Sequence, residues 1–204
     1  MPVSTPLRDV IGLDSLPPRL AGTTLVLIDF QNTYRTGVMA LEGAEEALAA
    51  GARLLAAARA AGIAVVHVAD AGYDTDSELG AISPEVAPAE GEPVVLKSVP
   101  DAFHGTDLEK ILRELGAGQD LVLAGFMTHM CVAFTAQGAF NRGYRPTVVA
   151  EATATRSLAA PDGTALPAAT LQTAALVTIG DVFGVVVPTV EDLIGRPHAP
   201  VPAG

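Results

Sequence analysis

The chain has 204 residues, half of them hydrophobic, which is enough for one sizeable domain whose core needs no disulfide or metal. Its 12 basic and 23 acidic residues give a formal net charge of -11, which disfavours binding to nucleic acid or to an anionic membrane. The single cysteine excludes an internal disulfide, and neither a leader-like start nor an apolar run of about 20 residues is evident. We therefore expect a cytoplasmic protein without a membrane span that acts on a small molecule.

The order of the predicted elements begins with an arm over residues 1–22, which hold four prolines and little periodicity. Continuous apolar runs follow, each typical of a strand that is buried on both faces. There are six of them, at residues 23–29, 63–68, 93–97, 120–125, 146–150 and 182–187.

Helical patterns separate these runs. The clearest spans residues 44–61, and further helices are predicted over 130–141 and 168–178. Thr106, with Glu109 three residues later, has the spacing of a capping box at the start of one more helix.

The alternation of strand and helix predicts one α/β domain over residues 23–194, followed by a mobile tail at 195–204. Right-handed crossovers would build a three-layer αβα sandwich around a six-stranded, mostly parallel, Rossmann-like sheet. Two long irregular segments, 70–92 and 153–167, are expected to border a pocket at the carboxyl ends of the strands. The alternative for both is a tolerated surface insertion.

Cys131 follows the fourth strand directly and lies at the start of a predicted helix. The helix dipole and free backbone N–H groups stabilise a thiolate there, so we expect a lowered thiol pKa and a reactive nucleophile. The alternative is an inert buried cysteine.

Asp29 ends the first strand and Lys97 ends the third. Asp29 could instead turn the chain, and Lys97 could extend to the sheet edge. In a parallel sheet, however, both would point towards the shared crevice, where burial raises the pKa of a carboxyl into a range useful for proton transfer. Together with Cys131 they predict a site made of a nucleophile, a base and a cation.

These three residues lie in motifs that resemble the isochorismatase-like cysteine hydrolase superfamily, which includes nicotinamidases, N-carbamoylsarcosine amidohydrolase, ureidoacrylate amidohydrolase and streptothricin hydrolase. The matching stretches are LIDFQN at 27–32, LKS at 96–98 with AFHGT at 102–106, and GFMTHMCV at 125–132. The resemblance covers roughly residues 22–194 and implies the isochorismatase-like hydrolase fold and a homo-oligomer, either a dimer or a tetramer.

The resemblance also implies a mechanism. Asp29 would take the thiol proton, Cys131 would attack a carbonyl carbon, and the backbone N–H groups of Met127 and Cys131 would form the oxyanion hole. The Phe126–Met127 peptide bond would be cis. The strand order would be 3-2-1-4-5-6, so Lys97 would have to lean across one intervening strand, a gap of about twice 4.8 Å.

Five residues close to these motifs are candidates for substrate binding, although core packing, or ordering of the first loop, is an alternative for several of them. They are Phe30, Gln31, Tyr34, Phe103 and Thr128.

The positions of the histidines argue against a metal site. The nicotinamidase branch carries an Asp-x-His pair and a further His as metal ligands after the second strand, whereas this chain has HVADAGY at 67–73. We therefore predict no metal and no cofactor, with His67 as a core residue. His129 is two residues from Cys131 and would not face it on a helix, which favours the pocket wall or a subunit interface.

The sequence thus favours a metal-free cysteine hydrolase that cleaves a C–N bond of a small amide, cyclic amide, ureide or carbamoyl substrate through a thioester. The alternatives are vinyl-ether hydrolysis of the isochorismatase type and a non-catalytic redox or assembly module with Cys131 as its sensor thiol.

Overall fold

The computed structural model describes residues 3–195. The predicted arm contains one short helix, and the predicted tail lies outside the described residues except for Gly195. The six main strands are β1 (Thr24–Ile28), β2 (Ala64–Asp70), β3 (Val94–Lys97), β4 (Asp120–Phe126), β5 (Arg145–Ala154) and β8 (Val185–Val187). Between β5 and β8 along the chain, β6 (Leu158–Ala159) and β7 (Ala165–Leu166) form a small antiparallel ribbon.

The six main strands form one sheet in the order β3-β2-β1-β4-β5-β8, and neighbouring strands are parallel throughout. The predicted three-layer α/β fold and strand order are therefore confirmed. The carboxyl ends of β1, β3 and β4 reach the same edge, where ligands bind in such sheets.

The helices that cover the sheet are α1 (Leu7–Val10), α2 (Ala44–Ala60), α3 (Leu108–Glu114), α4 (Ala133–Phe140), α5 (Ala168–Thr178) and α6 (Val190–Ile194). Alternate residues of the fully buried β1 face the two helical layers. Leu25 and Leu27 pack in a core with α2 and α6, while Val26 and Ile28 pack in a core with α3 and α4. Each such side chain contributes about 1.5–3 kcal/mol relative to full exposure.

The start of α3 corrects one prediction. The helix begins at Leu108, and no capping box forms between Thr106 and Glu109. The Thr106 hydroxyl instead donates to the Ala102 carbonyl at 2.5 Å and accepts the Leu108 N–H at 3.2 Å. Glu109 pairs with arginines, 3.4 Å from Arg142 and 3.7 Å from Arg113.

Strand β5 is longer than the predicted run at 146–150. Its register against β4 shifts between Leu123 and Gly125, after which Thr153 and Ala154 pair with the end of β4. The irregular segment expected at 153–167 therefore starts as strand, and the extension brings Thr155 to the site edge of the sheet.

Among residues 3–195, no helix is both long and apolar enough to cross a bilayer.

The packing of Gly51 generates a stability prediction. Glycine to alanine inside a helix normally stabilises a protein by up to about 1 kcal/mol, but a Cβ atom on Gly51 would lie 2.7 Å from the Phe30 ring. Phe30 cannot easily yield, because it is buried against Phe126 with ring centroids 4.7 Å apart. We expect Gly51→Ala to destabilise the fold by about 1–2 kcal/mol through overpacking, measured by urea denaturation.

The control is Ala49→Gly at an exposed position of the same helix, where loss of helix propensity alone should cost about 1 kcal/mol. A Gly51→Ala protein as stable as the parent would contradict the predicted contact with Phe30.

Candidate active site

Cys131 lies in an irregular turn between β4 and α4. The turn, Thr128–Val132, has π-helical hydrogen bonding and leads directly into α4. The Phe126–Met127 peptide bond before it is cis. Cys131 is a free thiol with 3% of its surface exposed.

The structure brings the three predicted catalytic residues together. Lys97 Nζ lies 2.7 Å from Asp29 Oδ2 and 3.3 Å from Cys131 Sγ. Lys97 reaches this point by leaning across the end of β2, the strand that separates β3 from β1. Asp29 is fully buried and Lys97 is 1% exposed, so the ion pair is shielded from water.

Asp29 has an unusual backbone conformation. Its φ of 52° is in the left-handed region, which costs a residue with a side chain about 1–2 kcal/mol. Its N–H donates to the Val68 carbonyl at 2.9 Å, a bond that joins the end of β1 to β2. This hydrogen bond therefore fixes the strained backbone of the residue whose carboxylate contacts Lys97.

Burial has the largest effect on the pKa of Asp29. It raises the pKa of Asp29 from 3.8 to about 6, although Lys97 and a hydrogen bond with Cys131 oppose the shift. Burial lowers the pKa of Lys97, but Asp29 and Cys131 outweigh this effect and raise it above its ordinary value. Near neutral pH the pair is therefore a carboxylate and an ammonium.

The thiol corrects the sequence prediction of a lowered pKa. Burial, and next the charge of Asp29, raise the pKa of Cys131 from 9.0 to about 12, with Lys97 acting in the opposite direction. The helix N-terminus does not overcome the loss of solvent, so the resting nucleophile is a neutral thiol beside a carboxylate that can accept its proton.

Two of the predicted substrate-binding residues have other roles. Gln31 is fully buried and bound to backbone: its Nε2 donates to the Gly80 carbonyl at 2.7 Å, and its Oε1 accepts the Asp70 N–H at 2.8 Å. This favours an ordering role in the first loop over contact with substrate. Phe30 is a core residue that packs on Phe126 and against α2.

Phe103 is not placed in the site, which corrects a further prediction. It stacks on Tyr144 with ring centroids 5.8 Å apart, under the Arg142 guanidinium at 4.9 Å. Tyr144 precedes β5, so this contact lies at the far end of α4 from Cys131. The segment after Lys97 therefore runs along the helical layer, away from Cys131.

Tyr34 and Thr128 remain candidates for substrate contact. Tyr34 is buried edge-on against Phe126 and Tyr73, and its pKa is raised by burial and next by the charges of Asp29 and Cys131. Thr128 is fully buried, and its hydroxyl has no hydrogen-bond partner within residues 3–195.

The two long segments do border the site. Residues 79–83 bond to the loop after β1, for example through Thr33 N–H to the Leu79 carbonyl at 2.7 Å. Thr155 accepts or donates a hydrogen bond at 2.5 Å with Nδ1 of His129, two residues before Cys131. His129 therefore faces Thr155, and its place in the pocket wall or at a subunit interface stays a prediction.

His67 lies within β2, where its Nε2 bonds Glu92 Oε2 at 2.8 Å. Burial lowers its pKa. Among residues 3–195, no group of three or more His, Cys, Asp or Glu side chains is arranged to hold a metal ion.

Asp70 is a site residue that the sequence reasoning missed. It ends β2, between the strands of Asp29 and Lys97, and its Oδ2 lies 3.8 Å from Lys97 Nζ. The signal was available, because the apolar run at 63–68 continues through Ala69 to this carboxylate.

Comparisons with known proteins show which family and fold the chain resembles. The chain matches the family model Isochorismatase domain over residues 23–187. The crystal structure of an isochorismatase from Pseudomonas putida KT2440 is similar with a TM-score of 0.89 and 39% identity, covering 94% of this chain and 100% of that one.

Two curated relatives are similar in sequence. A secreted isochorismatase effector of Verticillium dahliae is 35% identical over 88% of this chain and 95% of its own. A maleamate amidohydrolase of Pseudomonas putida is 34% identical over 62% of this chain and 70% of its own.

The buried ion pair yields a prediction. Lys97→Met leaves the Asp29 carboxylate buried without its cation, and we expect a loss of about 3–5 kcal/mol in unfolding free energy near pH 8. Without Lys97 the Asp29 pKa rises further above 3.8. A raised carboxyl pKa costs stability as pH rises, so the variant should recover stability near pH 5, where Asp29 is protonated.

Urea denaturation at both pH values checks this, with Lys110→Met as the control. Lys110 forms an exposed pair with Glu114 at 3.9 Å, and its loss should cost less than about 0.5 kcal/mol. If Lys97→Met were equally destabilised at both pH values, Asp29 would not be the group left unpaired.

Proposed function

The chain belongs to the isochorismatase family, a family of hydrolases, and from this premise we propose that it cleaves a C–N bond of a small amide, cyclic amide, ureide or carbamoyl substrate. The observation that carries the proposal is the contact of Lys97 with both Asp29 and Cys131, at 2.7 and 3.3 Å. Similarity to a protein named as an amidohydrolase supports the amide class.

In the first half-reaction, Asp29 accepts the thiol proton while the sulfur of Cys131 forms a bond to the carbonyl carbon. Burial raises the pKa of Cys131 to about 12, well above that of Asp29 at about 6. A thiolate formed in advance would therefore be scarce, and proton transfer should accompany attack. Lys97 stabilises the negative charge as it moves from oxygen to sulfur.

The carbonyl oxygen becomes negative as the C–S bond forms, and the N–H groups of Met127 and Cys131 are its proposed donors. The Met127 carbonyl accepts the N–H groups of Met130 and Val132 at 3.0 and 3.2 Å, which curls the turn around this position. Asp29 then gives its proton to the leaving nitrogen, the C–N bond breaks, and a thioester and a free amine remain.

Water completes the reaction. Asp29 removes a proton from water as its oxygen attacks the thioester carbon, and the C–S bond breaks. The proton returns to sulfur, which restores the thiol and releases the carboxylic acid. Each cycle therefore consumes one water molecule and protonates Asp29 twice.

The alternatives have less support. A vinyl-ether hydrolase of the isochorismatase type need not use a cysteine, whereas here Cys131 contacts Lys97 directly. A redox sensor needs an exposed thiol of low pKa, whereas Cys131 is 3% exposed and burial raises its pKa to about 12.

We also propose that the protein assembles as a homo-oligomer, a dimer or a tetramer. Phe134 on α4 and Val177 on α5 are 50% and 65% exposed, and neither helix carries a charged residue. A second copy of a chain with a net charge of -11 meets least repulsion at such a surface.

Replacement of the nucleophile tests the proposed chemistry. We expect Cys131→Ser to lower turnover by at least about a thousandfold, because a serine hydroxyl beside the same carboxylate is far harder to ionise. The assay is ammonia release from a panel of small amides, ureides and carbamoyl compounds, with circular dichroism to check that the variant folds. Full turnover by this variant would rule out the cysteine mechanism.

The pH dependence tests the base. Asp29 must be ionised to accept the thiol proton, so kcat/KM should fall about tenfold per pH unit below roughly pH 6. The apparent value belongs to the coupled Asp29–Cys131 pair. Enzyme held at low pH and assayed again near neutral pH controls for denaturation. An acid limb near pH 4, the range of an exposed carboxyl, would contradict Asp29 as the base.

A further inference from the structure

Asp70 is a second carboxylate beside Lys97, and the mechanism above gives it no role. It is paired in register with Lys97 on the neighbouring strand, and its Oδ2 lies 3.8 Å from Lys97 Nζ. Its side chain is 29% exposed, whereas Asp29 is fully buried. Lys97 therefore contacts one shielded carboxylate and one that faces solvent.

The position of Asp70 is fixed by several hydrogen bonds. Its N–H donates to Gln31 Oε1 at 2.8 Å, and its carbonyl accepts from Gln31 Nε2 at 3.3 Å. Its Oδ1 accepts the Gly72 N–H at 2.8 Å. Oδ2 is the oxygen left to interact with Lys97.

The charges around Lys97 change during the proposed reaction. Asp29 loses its negative charge whenever it holds the transferred proton, and the thiolate disappears when the thioester forms. Tyr34 packs edge-on against Tyr73, and burial raises the pKa of the Tyr34 phenol. Asp70 then remains beside the buried ammonium, with its Oδ2 3.8 Å from Lys97 Nζ. Burial lowers the pKa of Lys97, whereas Asp29, Cys131 and Asp70 raise it.

We propose that Asp70 is a positioning residue for Lys97, holding its ammonium group between Asp29 and Cys131 during the steps in which Asp29 is protonated. This inference rests on the proposed function, because it assigns Asp70 a role within that acyl transfer.

Alkylation by iodoacetamide tests the inference without any substrate. The chain has one cysteine, so the reaction reports on Cys131 alone. Asp70→Asn keeps an oxygen for the Gly72 N–H and removes the charge. We expect alkylation about threefold to tenfold slower between about pH 7 and 9, because a displaced ammonium no longer stabilises the thiolate.

The sign of the change is decisive. If Asp70 acted only as a distant negative charge, its removal would favour the thiolate and speed alkylation. An equal or faster rate in Asp70→Asn therefore overturns the inference. Asp70→Glu retains the charge and should restore part of the rate.

Asp74→Asn is the matched control. Asp74 lies in the same segment and its Oδ1 accepts the Asp76 N–H at 3.0 Å, so the substitution removes the same charge from a similar turn. Its alkylation rate should match that of the parent, and an equal loss in both variants would indicate loop disruption and count against the inference.

Turnover separates this inference from the proposed function. On an amide that the parent hydrolyses, Asp70→Asn should lower kcat about tenfold and change KM by less than about twofold. Unchanged turnover and alkylation, with Cys131→Ser inactive, would overturn the role of Asp70 alone. If the parent hydrolysed no amide, the proposed function would fail, and alkylation would still decide whether Asp70 positions Lys97.

Discussion

The buried ion pair between Asp29 and Lys97 is the interaction on which the rest of the site depends. Moving each ion out of water costs several kcal/mol, and the cost is recovered only where the geometry of the pair is close. Here the two atoms are 2.7 Å apart. That contact requires β1 and β3 to end at one edge of a parallel sheet, and it requires a side chain long enough to cross β2. Lysine, with its four-carbon stem, meets that requirement.

The same burial determines what the site can do chemically. A helix N-terminus stabilises a nearby anion, but burial, and next the charge of Asp29, raise the pKa of Cys131 from 9.0 to about 12. Loss of solvent therefore outweighs the helix, and the turn cannot ionise the thiol by itself. A base has to do so, and burial of Asp29 raises the pKa of that carboxyl to about 6, where it is a stronger base and still ionised near neutral pH.

The sequence predicted the sheet and the strand-end residues well, for a physical reason. β1 is buried on both faces and continuously apolar, so the first polar side chain, Asp29, marks its end. β3 is an edge strand whose Val94 and Leu96 are exposed, but its apolar run likewise ends at Lys97. The path of irregular segments has no such signal. The predictions for Phe103 and Gln31 rest on their distance along the chain from a motif, whereas packing on Tyr144 and bonds to backbone decide where these residues lie. The longer β5 likewise depends on a register shift that no residue pattern marks.

The separation of acid and nucleophile is set by backbone contact. Ile28, the residue before Asp29, pairs with Gly125, which begins the Gly125–Phe126–Met127 path to the turn of Cys131. Gly125 has a φ of 132°, and a Cβ atom there would lie 1.9 Å from the Ile28 carbonyl oxygen. Any side chain at this position would push β4 away from β1 and carry the nucleophile with it. Because misplacement by about 1 Å can cost a hundredfold in rate, no compensating change among the catalytic side chains would restore the geometry. The glycine is therefore as necessary to the site as the three residues that perform the chemistry.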